Sequence, residues 1–124
     1  MTDRHHKVRG EHKYQQEVSS PGQHEERPGR SLVTTSHEVI RQWADERGAE
    51  PATVPGSEYD GRPGRLLLDF PGGRGEDLQH ISWDDWFATF EARKLNFLYQ
   101  EHLADGSQSN FFKLENPGGD RHSG

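Results

Sequence analysis

Asp84 and Asp85 stand side by side at the head of an aromatic run, with Asp69 upstream of them. Paired carboxylates are the smallest set for general acid–base work, and glycoside cleavage needs two held about 5–9 Å apart. Neighbouring residues on a helix diverge instead of converging on one point. Both Asp suit the first turn of a helix, where the dipole favours negative charge. They read as capping groups, and no catalytic residue is assigned. Eight histidines raise the question of a metal. His5, His6, His12 and His24 lie in a polar N-terminal stretch, able to take up metal adventitiously but without a second shell to fix them. His37, His80, His102 and His122 show neither HExxH nor His-x3-His spacing. No metal ligand is assigned. Gly72-Gly73-Arg74-Gly75 follows an extended run, as a phosphate-cradling loop would. It lacks the P-loop lysine and a following helix, and Glu76-Asp77 would repel phosphate. It reads as a hairpin loop, so no cofactor and no cofactor-binding residue is expected. Trp43, Trp83 and Trp86 could stack on sugars or bases, but each falls on an apolar stripe that a core would use. Arg41 and Arg47 read as a solvated helix face.

The elements that must position these groups follow from periodicity. Thr35-Ser36-His37-Glu38 fits a capping box, with Thr35 as the N-cap. Val39, Ile40, Trp43 and Ala44 then form one apolar stripe, Gly48 is the natural stop, and Pro51 opposes continuation. Residues 52–64 read as loop, with at most a short extended piece at Thr53-Val54. Arg65 to Phe70 alternates as a strand, and Leu78 to Ile81 is a candidate return strand pairing with it. Ser82 caps a second helix running to about Arg93, its buried face made of Trp83, Trp86, Phe87 and Phe90. Asp105-Gly106 favours a two-residue type I′ turn. That turn sets Tyr99 opposite Phe112 and Phe97 opposite Leu114, all on the side that meets the helix bearing Trp86. A slip of one residue would destroy the match. The expected architecture is α+β: a three- to four-stranded, mainly antiparallel sheet with two helices on one face, in the order α-β-(β)-α-β-β.

Composition sets the frame for that fold. Residues 1–30 hold only four apolar side chains, Met1, Val8, Tyr14 and Val18. Such a stretch cannot offset roughly 1–2 kcal/mol per residue of backbone ordering, so a disordered tail is expected there and again over 117–124. Residues 31–116 form the expected single domain. Eight of the twelve aromatic residues fall between Trp83 and Phe112, so the core concentrates there. The chain has a net charge of −6, and most of the excess acid lies in the expected domain. Clustered cations are what duplex DNA requires, so it is not an expected partner. With no cysteine, no signal-peptide pattern and no long apolar run, the expected setting is the cytoplasm, away from a membrane.

The segments His37-Glu38-Val39-Ile40-Arg41-Gln42-Trp43-Ala44, Arg47-Gly48, Pro51-Ala52-Thr53-Val54, Asp69-Phe70-Pro71-Gly72, Ile81-Ser82-Trp83-Asp84-Asp85-Trp86-Phe87 and Phe111-Phe112-Lys113-Leu114 carry a resemblance. In that order they resemble a family of small uncharacterised bacterial proteins, some of which bear a 1,4-alpha-glucan branching enzyme label. The resemblance implies one compact domain behind a variable tail, and it brings no functional residue with it. A branching enzyme is built on a barrel of about 250 residues, so the label implies at most a carbohydrate-related accessory. The leading expectation is a non-enzymatic module that binds a protein partner or forms a homodimer. Its contact surface would be Leu67, Leu98 and Phe111 with His102 and Lys113 at the rim. Weak single-stranded nucleic-acid binding through the tail is the third reading.

Overall fold

The computed structural model describes Val8 and residues 14–58, 63–72 and 77–116. The chain runs β1 (Gln16–Glu17), β2 (Leu32–Thr34), α1 (His37–Glu46), β3 (Glu50–Thr53), β4 (Leu66–Asp69), β5 (Gln79–His80), α2 (Trp83–Ala92), β6 (Asn96–Tyr99) and β7 (Phe112–Glu115). Two helices with mainly antiparallel strands make it α+β, as the periodicities require. The strands are distributed over two sheets instead of one, β1-β2-β6-β7 and β4-β3-β5. The chain divides into two compact units, Met1–Trp43 with Lys94–Gly124, and Ala44–Arg93. The stretch 31–116 expected as one domain contributes to both units.

In the first unit, β2 pairs antiparallel with β6, and β6 with β7. Phe97 lies opposite Leu114 and Tyr99 opposite Phe112, the register that the alternation demands. The aromatic ring beneath this face is Trp43, not Trp86. It meets Phe97, Tyr99 and Phe112 edge-on at 5.5, 6.0 and 6.2 Å, and its Nε1 donates to Gln100 O at 2.8 Å. The tail expectation fails over 14–30. Gln16 and Glu17 pair parallel with Leu32 and Val33, and Val18 is wholly buried. Gln16 holds the segment behind it with both ends of its amide: Nε2 donates to His24 O and Oε1 accepts from Glu26 N, each at 2.9 Å. One buried valine and a set of polar side chains hold this stretch, a combination that composition does not reveal. The rest of the N-terminal tail (Val8 apart), the C-terminal tail over 117–124, and Gly73 to Gly75 lie outside the described residues.

Helix α1 is capped one residue later than the capping-box reading places it. Ser36 Oγ accepts from Val39 N at 3.2 Å, while Thr34 Oγ1 accepts from Ser36 N at 3.0 Å.

The second unit opens at the end of that helix. Gly48 takes a positive φ of 68°, and Ala49 N bonds to Ala44 O and Gly48 N to Asp45 O, the two bonds of a Schellman stop. The chain turns straight into β3, the central strand, where a loop is the expectation. Pro51 made that stretch read as a breaker. It is tolerated because β5 pairs only with Ala52 and Thr53. Pro51 lies just past that ladder, its carbonyl still accepting from Ile81 N at 3.0 Å. β5 accordingly pairs with β3 and not with β4, as the return-strand reading has it. Helix α2 packs on β3 and β4, burying Trp86, Phe87 and Phe90, with Trp86 Nε1 donating to Leu67 O at 3.0 Å. Ser82 is its N-cap, accepting from Asp85 N at 3.0 Å. Each sheet thus has its own aromatic-bearing helix, and the picture of two helices on one shared sheet gives way.

Candidate functional site

Of the residues expected to share a contact surface, Leu98, His102, Phe111 and Lys113 lie on the β6–β7 hairpin. Leu67 lies on β4, which pairs with β3 in the other sheet. The strand that flanks Leu98 is β2, with Val33 directly opposite. The hairpin is closed by three residues instead of two: Leu103 N donates to Ser107 O, and Gly106 N to Leu103 O, with Gly106 at φ 91°. Ser107 donates to Asp105 Oδ1 through both its N and its Oγ, which holds the Asp105 carboxyl below its usual range. Beyond the loop, Ser109 N meets Glu101 O, yet Phe112 meets Tyr99. Asn110 and Phe111 therefore stand opposite Gln100 alone, a β-bulge. Ser109 Oγ fills it, donating to Gln100 Oε1 at 2.9 Å and accepting from Phe111 N at 3.1 Å. The bulge turns Phe111 outward, 50% exposed, beside β7. In the order β1-β2-β6-β7, β7 is an edge, with exposed Lys113 and half-buried Glu115 on either side of Leu114.

The second unit gathers polar groups on the open face of its sheet. Register places Glu50, Asp69 and His80 on one side and Pro51, Leu66 and Leu68 on the buried side. His80 Nε2 lies 2.7 Å from Asp69 Oδ2, and its Nδ1 lies 3.7 Å from Glu50 Oε1. The hydrogen bond to Asp69, then the Glu50 charge, raise the His80 pKa above its ordinary value. An exposed imidazole between two carboxylates can hold or pass a proton. The sequence does not reveal this group, because Pro51 reads as a break and 52–64 as loop, which hides β3 and the register that assembles it. Asp69 serves His80, while Asp84 and Asp85 occupy the first turn of α2. Arg47 departs from the expected solvated face. It is buried, with its guanidinium 3.4 Å from Glu46.

A cleft of about 340 Å³ opens in the same unit, lined by Asp45, Gly48, Glu50, Pro51, Ser82 and Trp83 among others. Trp86 is buried and Trp83 only partly so, stacked on Phe87 at 5.1 Å. Among the described residues, Glu25, Glu101 and His102 could share a cation, one ligand atom of each lying within 4.8 Å of the others. No described helix is long and apolar enough to cross a membrane. No family model, curated protein or solved structure matches the chain.

Proposed function

We propose that the protein is a non-enzymatic module of a bacterial cytoplasm that associates with a second copy of itself through the edge of β7. The observation that carries this reading is the sequence of that edge, Lys113-Leu114-Glu115, on a strand with no neighbour beyond it among the described residues. An edge strand templates pairing with another chain. Antiparallel pairing centred on Leu114 sets Lys113 of one copy opposite Glu115 of the other, twice by symmetry, with Leu114 opposite Leu114. Opposite charges across strands contribute about 0.2–1 kcal/mol per pair. The same pairing continues the apolar side that Phe112 and Phe97 share, stacked at 5.8 Å, and brings the exposed Phe111 to the rim. Multi-angle light scattering over a concentration series tests it. Wild type should move from monomer to dimer mass. Lys113→Glu should stay monomeric with its circular dichroism unchanged, and Lys113→Glu combined with Glu115→Lys should regain the dimer. A wild type that stays monomeric at every concentration, or single reversals without effect, refutes the reading.

A carbohydrate accessory is the second reading, and the Trp83 cleft favours it. Its volume lies within the usual range of small-ligand sites, and an indole beside Asp45 and Glu50 offers a sugar one stacking surface and two acceptors. Titration with a maltooligosaccharide should then shift tryptophan emission in wild type and not in Trp83→Ala. Unchanged wild-type emission at millimolar sugar excludes it.

A further inference from the structure

We propose that Glu25, Glu101 and His102 form a binding site for a first-row divalent transition ion of the Zn²⁺ type, with His24 orienting one of the carboxylates. The residues arrive as two adjacent pairs, His24-Glu25 from the segment between β1 and β2, and Glu101-His102 from the β6 arm of the hairpin just before its loop. Neither pair resembles a metal motif by spacing; the fold brings them together. One donor atom from each of the three lies within 4.8 Å of the others. Donors on one tetrahedral zinc, each about 2.0–2.2 Å from it, stand roughly 3.3–3.6 Å apart, so side-chain adjustments of about an ångström close the set.

The backbone on both sides is fixed independently of the cluster. Gln16 brackets residues 24–26 with its two amide bonds, which sets Glu25 between two anchored neighbours. Gly29 N donates to His102 O at 3.0 Å, and Gln100 Nε2 donates to Gly29 O at 3.2 Å. Ser109 N holds Glu101 O at 3.1 Å. Gly29 is required at this crossing. It sits at φ 90°, and a Cβ there would meet the Ala104 backbone at 3.1–3.2 Å.

A second observation points to a ligand. The Glu25 side chain is 11% exposed, and its Oε2 lies 2.5 Å from His102 Nδ1. Its Oε1 is sealed from solvent and has no hydrogen-bond partner among the described residues. A buried carboxylate oxygen left without a donor is costly, and such atoms call for an explanation. A cation bound between Glu25 and Glu101 supplies one. Glu101 Oε2 also lies 3.1 Å from His24 Nδ1, the carboxylate–histidine contact by which outer residues orient ligands. One imidazole with two carboxylates and no thiolate suits Zn²⁺, Co²⁺ or Ni²⁺ better than Cu(I), while Mg²⁺ and Ca²⁺ prefer all-oxygen sets. The rival account is a pair of His–Glu ion pairs that merely fasten the segment.

Calorimetric titration of the full chain, made without an affinity tag, with ZnCl₂ separates the two. One equivalent should bind and the melting temperature should rise. Glu25→Gln and His102→Gln should each weaken binding by at least about tenfold. His5→Ala, His6→Ala and His12→Ala together should leave that equivalent in place, and equal Mg²⁺ or Ca²⁺ should not displace it. Should Glu25→Gln fail to fold, His102→Gln, whose side chain is 42% exposed, decides alone. Zinc uptake that vanishes with the tail histidines, equal affinity in the folded ligand variants, or no uptake at all overturns the proposal.

Discussion

His80 keeps its proton to a higher pH than a free imidazole because Asp69 accepts from Nε2 and Glu50 adds its charge. A raised folded-state pKa stabilises the fold fully below the ordinary value near 6.5, and that contribution disappears as pH climbs through the raised value. Asp69→Asn should therefore return the His80 pKa toward 6.5 and weaken the pH dependence of stability in that window, leaving the part due to Glu50. Following the imidazole C–H shift against pH checks both, and an unmoved midpoint would show that Asp69 is not the cause. Residue-scale features were legible in the sequence where a side chain acts on its own local backbone. Ser82 and Gly48 do so, as N-cap and helix stop. They were illegible where two hydroxyls compete. Thr35 and Ser36 both fit a cap, and Ser36 takes the role because Thr34 fixes its amide.

At the scale of elements, the aromatic pairing of β6 and β7 rewards depth unequally. Phe97 is wholly buried and Phe112 only half so at the sheet edge. Phe97→Ala should cost about 3–5 kcal/mol, the range for an emptied core aromatic, and Phe112→Ala about half that. Urea unfolding at concentrations where the chain is monomeric gives both values, and equal losses there would show that depth in the sheet does not set the cost. The register of this pair was readable because alternation and turn chemistry constrain it together. The true loop and the bulge each differ from the expected hairpin by one residue, and the two differences cancel before Tyr99. β3 was unreadable for the opposite reason: its Pro51 signals a break, and only the place where β5 ends makes the proline harmless.

At the scale of the molecule, the segment before Ser31 belongs to the first unit. Val18 fills the core, and removing its two methyl groups in Val18→Ala should cost about 1.5–2 kcal/mol. That lowers the melting temperature by roughly 5–15 °C. Deleting residues 1–30 should destabilise further, since β1 and the Gln16 clamp go with it. A deletion that melts like the full chain in scanning calorimetry would show that the segment is passive. The class α+β was legible because helical and alternating periods are local. The partition into two sheets was not, because it depends on which strand finds which neighbour across the chain. The polar groupings shared that fate: Glu50, Asp69 and His80 in one unit and Glu25, Glu101 and His102 in the other meet only through pairing and loop closure.

Phe111 and Phe112 are neighbours of one kind, so a folding hairpin meets a choice between them. If the bulge straightened, the tip's phase would extend to the base, and Phe111 would take Phe112's place opposite Tyr99. Up to that rung the misaligned ladder is a near-equal competitor. The next rung on the same side rejects it, because Lys113 would then face Phe97 inside the core while Leu114 turned to water. The Ser109 hydroxyl that braces Asn110 and Phe111 thus holds the bulge on which alignment depends, and burial of Leu114 favours that alignment over its rival.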